Sequence, residues 1–495
     1  MPIDTLHPDY QHHLDAWNKL RDVVQGEDAV KEKGASYLPR LSDQSDTEYK
    51  SYRDRAMFFD TASKTVEGLV GMVTRKPMSI EGYPENAEVP LDSVGREGES
   101  LDGIASQTLE EILAMGRVGL YVDAGENENA APYISVYYAE SIINWKTELI
   151  EGRELLTLVV LRELVTEDGE DEYEHEPKEY YRVLRLSEGE AEGSRVYSVT
   201  LYEKVTVKSG NEFTDEFHER SSVVPVKRGG RRFEEIPFTF AGTRGIVCEC
   251  AKSPILDLVN VNLSHYRTSA DLEHGRHFTA LPTAYMTGVT SDRDKGTGRR
   301  IGSSSVWELE NPQAKVGFLE FTGQGLGHLS TALEQKEKIM AVLGARLLEQ
   351  QKASQEAAET VRLRHAGERS VLSKVAGAAQ DALTTAMRWA ADWLNVTGAD
   401  AITVSFDVDF DTLSLDPQMI DKLFAMLESD RFSFESFFAM FKQANMYPEG
   451  WTMENELEAI AQNDQLLGRP SGEEIIVEEE GIIPKPEEDD AEDDA

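Results

Sequence analysis

The sequence predicts an α+β fold that does not close on itself. Three observations predict it. Strand-like runs fill Leu155 to Phe240, three long helical segments lie between Ser253 and Leu394, and a small helical unit follows residue 417. None of the long helices has an apolar stripe wide enough for a self-sufficient globule, so their uncovered faces call for neighbours.

In order, residues 10–25 place Leu14, Trp17, Leu20, Val23 and Val24 at three- and four-residue spacing, an amphipathic helix. A loop around Gly34 and Pro39 leads to a longer helix expected from Thr47 to Thr74. Its inner face would carry Tyr49, Tyr52, Ala56, Phe59, Ser63, Val66 and Val70, and Pro77 stops it. Leu101 to Met115 reads as a helix running into the strand GRVGLYVD, followed by PYISVYYA and SIINWKTE. LLTLVVLREL, EYYRVLRL, RVYSVTLYEKV and SSVVPVK, parted by acidic or glycine-containing turns, predict an antiparallel meander that IPFTFAGT closes.

The first long helix spans Pro254 to Phe278, with Ser253 as N-cap, and should measure about 37 Å. An insert with β character follows. The second helix spans Leu326 to Glu349 and carries Leu329, Leu333, Met340, Leu343 and Leu347 on one side. The third spans Gln355 to Leu394, with Gly367 and Gly377 inside it predicting a bend. A strand, AITVSFDVDF, precedes C-terminal helices over 417–443 and 452–464. No internal repeat is present.

The bulk numbers narrow the function. The 495 residues are 40% hydrophobic and 28% charged, a folded composition. No run of 18 apolar residues marks a membrane span, and the N-terminal stretch lacks a secretory pattern. The two cysteines, Cys248 and Cys250, sit too close for a comfortable disulfide and fit a reducing cytoplasm. The formal charge is −41. Glu473 to Ala495 carries −11 of it, which leaves −30 elsewhere. A protein gripping nucleic acid through phosphates should be basic, so a conventional DNA-binding domain is excluded. A passage through which DNA slides without sticking is not.

Four patterns raise chemistry. Gly323, Gly325 and Gly327 join a strand to a helix, as in phosphate cradles. The spacing is not GxGxxG and no Walker lysine follows, so a strand-to-helix joint is preferred. Asp407, Asp409 and Asp411 alternate along a strand and could hold Mg²⁺ as in a metal-dependent nuclease. A solvated acidic face is preferred there. His274 and His277, with His265 earlier, could bind a metal, but no further ligand completes the set. Finally, two basic features stand out: the turn with Arg293, Lys295, Arg299 and Arg300, and the break Gln350, Gln351, Lys352, Ala353, Ser354, with Arg346 just before it. Both have the plain reading of solvated loops.

The order of elements resembles the portal proteins of tailed bacteriophages, and within them a group long catalogued as a domain of unknown function. The stretch SPILDLVNVNLSHYRTSADLEHGRHFTALPTAYMTG carries the resemblance most specifically. RAMFFDTASKTVEGLVGMVTRKP, LEEILAMGRVGLYVD, PYISVYYAESIINWK, IPFTFAGT, KVGFLEFTGQGLGHL and ETVRLRHAGERSVLSKVAGAAQDAL support it over roughly residues 20–465.

The resemblance implies a portal-type fold and a ring, usually of twelve subunits, at one capsid vertex. Residues 1–252 would form an α/β wing, 253–280 and 322–349 the two stem helices, and 281–321 a small α/β clip. Residues 350–356 would be the tunnel loop, 357–416 a long bent helix and wing strand, 417–466 a helical crown, and 467–495 a disordered acidic tail. Arg346, Gln350, Gln351, Lys352 and Ser354 would then face double-stranded DNA in transit, and Arg293, Lys295, Arg299 and Arg300 would dock partners. The implied partners are further copies of the chain, major capsid and scaffolding proteins, the terminase large subunit and a head-tail adaptor. The implied role is genome packaging and ejection in the virion, without cofactor, metal or enzymatic turnover. A metal-dependent nuclease or nucleotide-binding enzyme is the rival.

Overall fold

The computed structural model describes residues 2–84, 89–125, 130–168, 171, 173–189, 194–209, 212–280, 283–287, 312–319, 323–348, 371–407, 433–443, 447, 451–466, 477–478 and 481–482. The chain divides into two compact units, Met1–Val408 and Asp409–Ala495. The described residues mix helix and strand, consistent with the expected α+β class.

Helix α1 (Pro8–Gln25) starts on Pro8, with the His7 ring accepting the Asp9 N–H at 3.2 Å, and is followed after Gly26 by α2 (Glu27–Glu32). Trp17 and Leu20 are buried, as their spacing predicts. The helix expected over Thr47–Thr74 is instead two, α3 (Asp46–Arg55) and α4 (Thr61–Val73). A full capping box of Ser45 and Glu48 begins α3. The break has a tertiary cause. A later helix supplies Ser269 Oγ to accept the Met57 N–H at 3.3 Å, and Asn262 Nδ2 donates to the Phe59 carbonyl at 3.0 Å. Those side chains take the backbone groups that a continuous helix would use, so local propensity loses.

Strand β1 (Ser79–Glu81) precedes α5 (Leu101–Met115), which the Ser100 side chain caps. Gly116 ends α5 at φ 83° and passes the chain straight into β2 (Arg117–Ala124). Then come β3 (Pro132–Tyr138), β4 (Ile142–Ile150), β5 (Arg153–Asp168), β6 (His175–Glu188), β7 (Arg195–Ser209), β8 (Glu212–Val223) and β9 (Phe238–Gly242). Strands β4 to β8 form an antiparallel meander in sequence order, with Val160 opposite Val183 and Leu184 opposite Val199. It takes in β4, and its last strand is Glu212–Val223 rather than SSVVPVK. IPFTFAGT, expected to close it, supplies β9 to another sheet because β9 pairs with β2. Burial thins outward along it: Leu161 and Leu184 are covered, whereas Leu164 and Phe213 are exposed.

Strand β2 lies between β3 and β9 in a second antiparallel sheet and is buried from Arg117 to Val122. Such a continuous buried run needs cover on both sides. Gly119 is required there, since a Cβ would sit 2.3 Å from Phe238 Cζ.

The hairpin that follows contains α6 (Leu256–Ala280), β10 (Thr283–Thr287), β11 (Lys315–Leu319) and α7 (Gln324–Leu348). Helix α8 (Val371–Trp393) packs on α5 and on all three strands of the β2 sheet. Ala376, Ala379, Ala382, Ala386 and Ala390 are fully buried, and such small side chains let helix and sheet approach closely. The helix continues unbroken through Gly377. Gly367 and the first part of the expected 355–394 helix lie outside the described residues. Of the strand expected over 401–410, the described residues form β12 (Thr403–Ser405), paired with β1, and residues 408–410 lie outside them.

In the second unit, α9 (Phe434–Gln443) buries Phe437 and Phe438, and α10 (Met453–Leu466) follows. Phe437 stacks on Phe441 at 4.3 Å, and Trp451 Nε1 donates to Glu456 at 2.9 Å. Within the acidic tail, β13 (Val477–Glu478) and β14 (Gly481–Ile482) pair.

The α5–β2 junction yields a direct test. A Cβ at Gly116 would lie 3.0 Å from the Ala251 carbonyl oxygen, in a left-handed conformation that disfavours L-residues by about 2 kcal/mol. Gly116→Ala should lower stability by at least that amount in urea titrations of the full chain; an unchanged midpoint contradicts this reading of the junction.

Candidate functional site

The hairpin from α6 to α7 is the feature that the sequence singles out, and its root is firmly held. Ser253 Oγ donates to the Ala114 carbonyl at 2.7 Å and accepts the Ile255 N–H at 3.2 Å, so the expected capping serine also ties α6 to α5. Three residues earlier, Arg117 Nη1 donates to Cys250 Sγ at 3.0 Å. Both cysteines are free thiols, and burial raises the pKa of each.

Helix α6 is buried on a face rich in polar groups: Asn262, His265 and Ser269 alternate with Leu258, Val259, Leu263, Tyr266 and Leu272. Toward the body, contacts beyond those to Met57 and Phe59 reinforce it. Lys19 Nζ donates to Asn260 at 2.8 Å, Arg267 Nε to the Tyr37 carbonyl at 2.8 Å, and Tyr52 OH to Asp271 at 2.6 Å.

Toward α6, α7 carries Leu326, Leu329, Leu333, Lys336, Met340 and Leu343 at heptad spacing, of which Leu326 and Lys336 meet α6 directly. Gly275 lets Leu326 in: a Cβ there would lie 2.5 Å from Leu326 Cδ2. Lys336 occupies an otherwise apolar position. Its ammonium donates to the Ser264 carbonyl at 2.9 Å and to Thr268 Oγ1 at 2.5 Å, and desolvation lowers its pKa. Beside it, His265 Nε2 lies 3.3 Å from Glu337 Oε1. His265 is buried; desolvation lowers its pKa and Glu337 opposes that shift. Among six such positions, one lysine with two specific acceptors fixes the register of the two helices.

The rest of α7 is largely uncovered. Met340 alone is fully buried among its described side chains, while Ile339 and Val342 are 48% and 51% exposed. At the far end, Phe278, Tyr285, Val316 and Phe318 are also exposed. Strands β10 and β11 pair antiparallel there, with Tyr285 opposite Gly317, which confirms β character in the insert.

The candidate residues fare differently. Arg293, Lys295, Arg299, Arg300, Gln350, Gln351, Lys352, Ser354, Asp409 and Asp411 lie outside the described residues. Arg346 belongs to the last turn of α7, its side chain likewise outside them. Asp407 stands beyond the end of β12 and pairs with Lys76. Gly323 has φ 63° and accepts the Leu326 N–H at the start of α7, which makes it a joint; a Cβ at Gly325 or Gly327 would meet nothing. His274 packs against Tyr52 and Phe278 near Arg55, and no group of three potential metal ligands occurs among the described residues. Sequence reasoning missed Lys336 and Arg117. The heptad could have shown the first, and an arginine opening a wholly buried strand could have shown the second.

A family profile described as a domain of unknown function, DUF4055, matches residues 254–394, which spans the hairpin and α8. No curated protein matches the chain. Among solved structures, the chain is similar to one in the neck of an empty GTA particle computed with C6 symmetry, at 12% identity and TM-score 0.36, covering 87% of this chain and 95% of that one. It is also similar to one in the neck of a native GTA particle computed with C12 symmetry, at 10% identity and TM-score 0.34, covering 83% and 90%. Overlap of that extent does not establish a shared fold.

Protonation gives the seam a measurable signature. A histidine whose folded pKa lies below its unfolded value of 6.5 leaves the unfolded state binding more protons as pH falls. Its contribution is complete above 6.5 and is lost as pH drops toward the folded pKa. Burial lowers His7 and His274 too, so their effects add. Stability should therefore decline between pH 7.5 and 5, with a shallower slope in His265→Gln. An identical slope in the variant refutes the buried seam histidine.

Proposed function

We propose that the chain is the subunit of a bacteriophage portal ring, a passive conduit for double-stranded DNA at one capsid vertex. The carrying observation is the α6–α7 hairpin. It is fixed to its own body along α6 yet leaves Ile339 and Val342 uncovered along α7. A second copy, seated there by rotation about the ring axis, would cover them, and its own α7 would in turn need the next copy. The resemblance carried by the α6 sequence supports this reading, with about twelve copies as the family's usual number.

The charge fits the role. A chain at −41 repels the phosphate backbone on average, so DNA passes without tight contacts that would stall it. Lys352 and its neighbours, placed after α7, would touch the backbone weakly, and Arg299 and Arg300, placed between β10 and β11, would meet the terminase or a head-tail adaptor. The chain itself performs no turnover; the ATP-driven work belongs to a separate motor.

Two substitutions separate the parts of this reading. Val342→Asp puts a charge into the proposed contact between copies and should abolish ring assembly in electron micrographs while leaving the circular dichroism spectrum intact. Lys352→Glu should assemble rings but impair DNA packaging. Rings formed by Val342→Asp would remove α7 from the interface, and normal packaging by Lys352→Glu would remove the loop from the channel.

A further inference from the structure

Arg117 is an unusual residue to find where it is. It opens β2, is 1% exposed, and its guanidinium carbon lies over two aromatic rings, Trp145 at 3.9 Å and Phe240 at 4.2 Å, which themselves meet edge to face with centroids 6.0 Å apart. The His7 ring also stacks on Trp145 at 3.9 Å. Two groups that close to one indole collide unless they take opposite sides, so His7 and Arg117 lie on either side of Trp145, and Phe240 meets the indole at 63° rather than as a further layer.

Contacts of this kind stabilise a cation, the more so when it is desolvated. They supply no lone-pair acceptor to its N–H groups. Nη1 donates to Cys250 Sγ, but Nε and Nη2, both buried, have no protein acceptor. These two nitrogens are adjacent and form the edge that binds a carboxylate or another anion bidentately. Burial lowers the pKa of Arg117 to about 10, so the cation persists at neutral pH. The thiols beside it are pushed up by burial and stay neutral. Among the described residues no carboxylate is ion-paired with it. Asp9 acts on it only through its field, from an exposed position on α1.

We propose that the Nε–Nη2 edge of Arg117 binds one small monovalent anion, a halide or an anion of similar size, buried beside the Trp145 and Phe240 rings. A neutral water would satisfy the N–H groups but not the charge, whose burial is costly unless it is compensated. The anion does both. The site sits where α5, β2 and the segment leading into α6 meet, so its occupancy would stiffen the root of the hairpin.

The test uses the full-length chain and bromide as the probe. Crystals grown in sodium bromide should show an anomalous peak in the guanidinium plane beside Nε and Nη2. Melting should occur at higher temperature in bromide or chloride than in gluconate at equal ionic strength, and Arg117→Met should lose that difference while Asp9→Asn keeps it. Three results overturn the proposal: the Asp9 carboxylate or an ordered water on that edge without an anomalous peak; a peak with no halide dependence of melting, which marks an adventitious ion only; or a halide effect that survives in Arg117→Met. If Arg117→Met does not fold, the anomalous map and the salt comparison on the unaltered chain decide.

Discussion

Helix α6 must satisfy two neighbours at once, and the rest of the hairpin depends on that. On one side it holds the Met57–Phe59 backbone, and on the other it holds α7 through Lys336 and His265. Apolar side chains alone would let two long helices slide or rotate against each other, because such contacts are not directional. Hydrogen bonds from one buried lysine to a carbonyl and a hydroxyl permit a single register. The same polar face weakens α6 as an amphipathic helix, which is why its sequence shows no clean stripe. What looks like poor patterning in isolation is a helix buried on two sides by specific contacts.

That arrangement determines which surface is left over. With the inner face of α6 buried, α7 leaves Ile339 and Val342 exposed. A chain with 91 acidic and 50 basic residues would be expected to clothe a solvent face in charge. An apolar pair on an uncovered helix of such a chain is the physical motive for self-association. The acidity itself is compatible with a ring through which DNA moves, since a weakly repelling wall leaves the polymer free to slide.

Much of the fold was legible where one local signal sufficed. Helices α1, α5 and α7 follow their apolar spacing, and α6 its Ser253–Pro254 start, to within about two positions, and three of the meander's strands follow their turns, whereas its last strand and IPFTFAGT do not. The break in the long helix has a distant cause. The Thr47–Thr74 pattern is helical throughout, yet Asn262 and Ser269, more than 200 positions later, claim its backbone at Met57 and Phe59. Likewise the partners of Arg117 and Lys336 lie 133 and 72 positions away, beyond any window of periodicity. Composition marked Arg293 to Arg300 and Gln350 to Ser354 as basic or polar exceptions, but the geometry of those two loops lies outside the described residues.

The central claim, that α7 is completed by another copy of this chain, is tested most directly by the mass of the purified protein in solution. Sedimentation velocity at micromolar concentration should show a single large species, a multiple of 55.3 kDa consistent with a closed ring of about twelve copies. A species of 55.3 kDa that persists as concentration rises would contradict the account, because the exposed face of α7 would then need no partner.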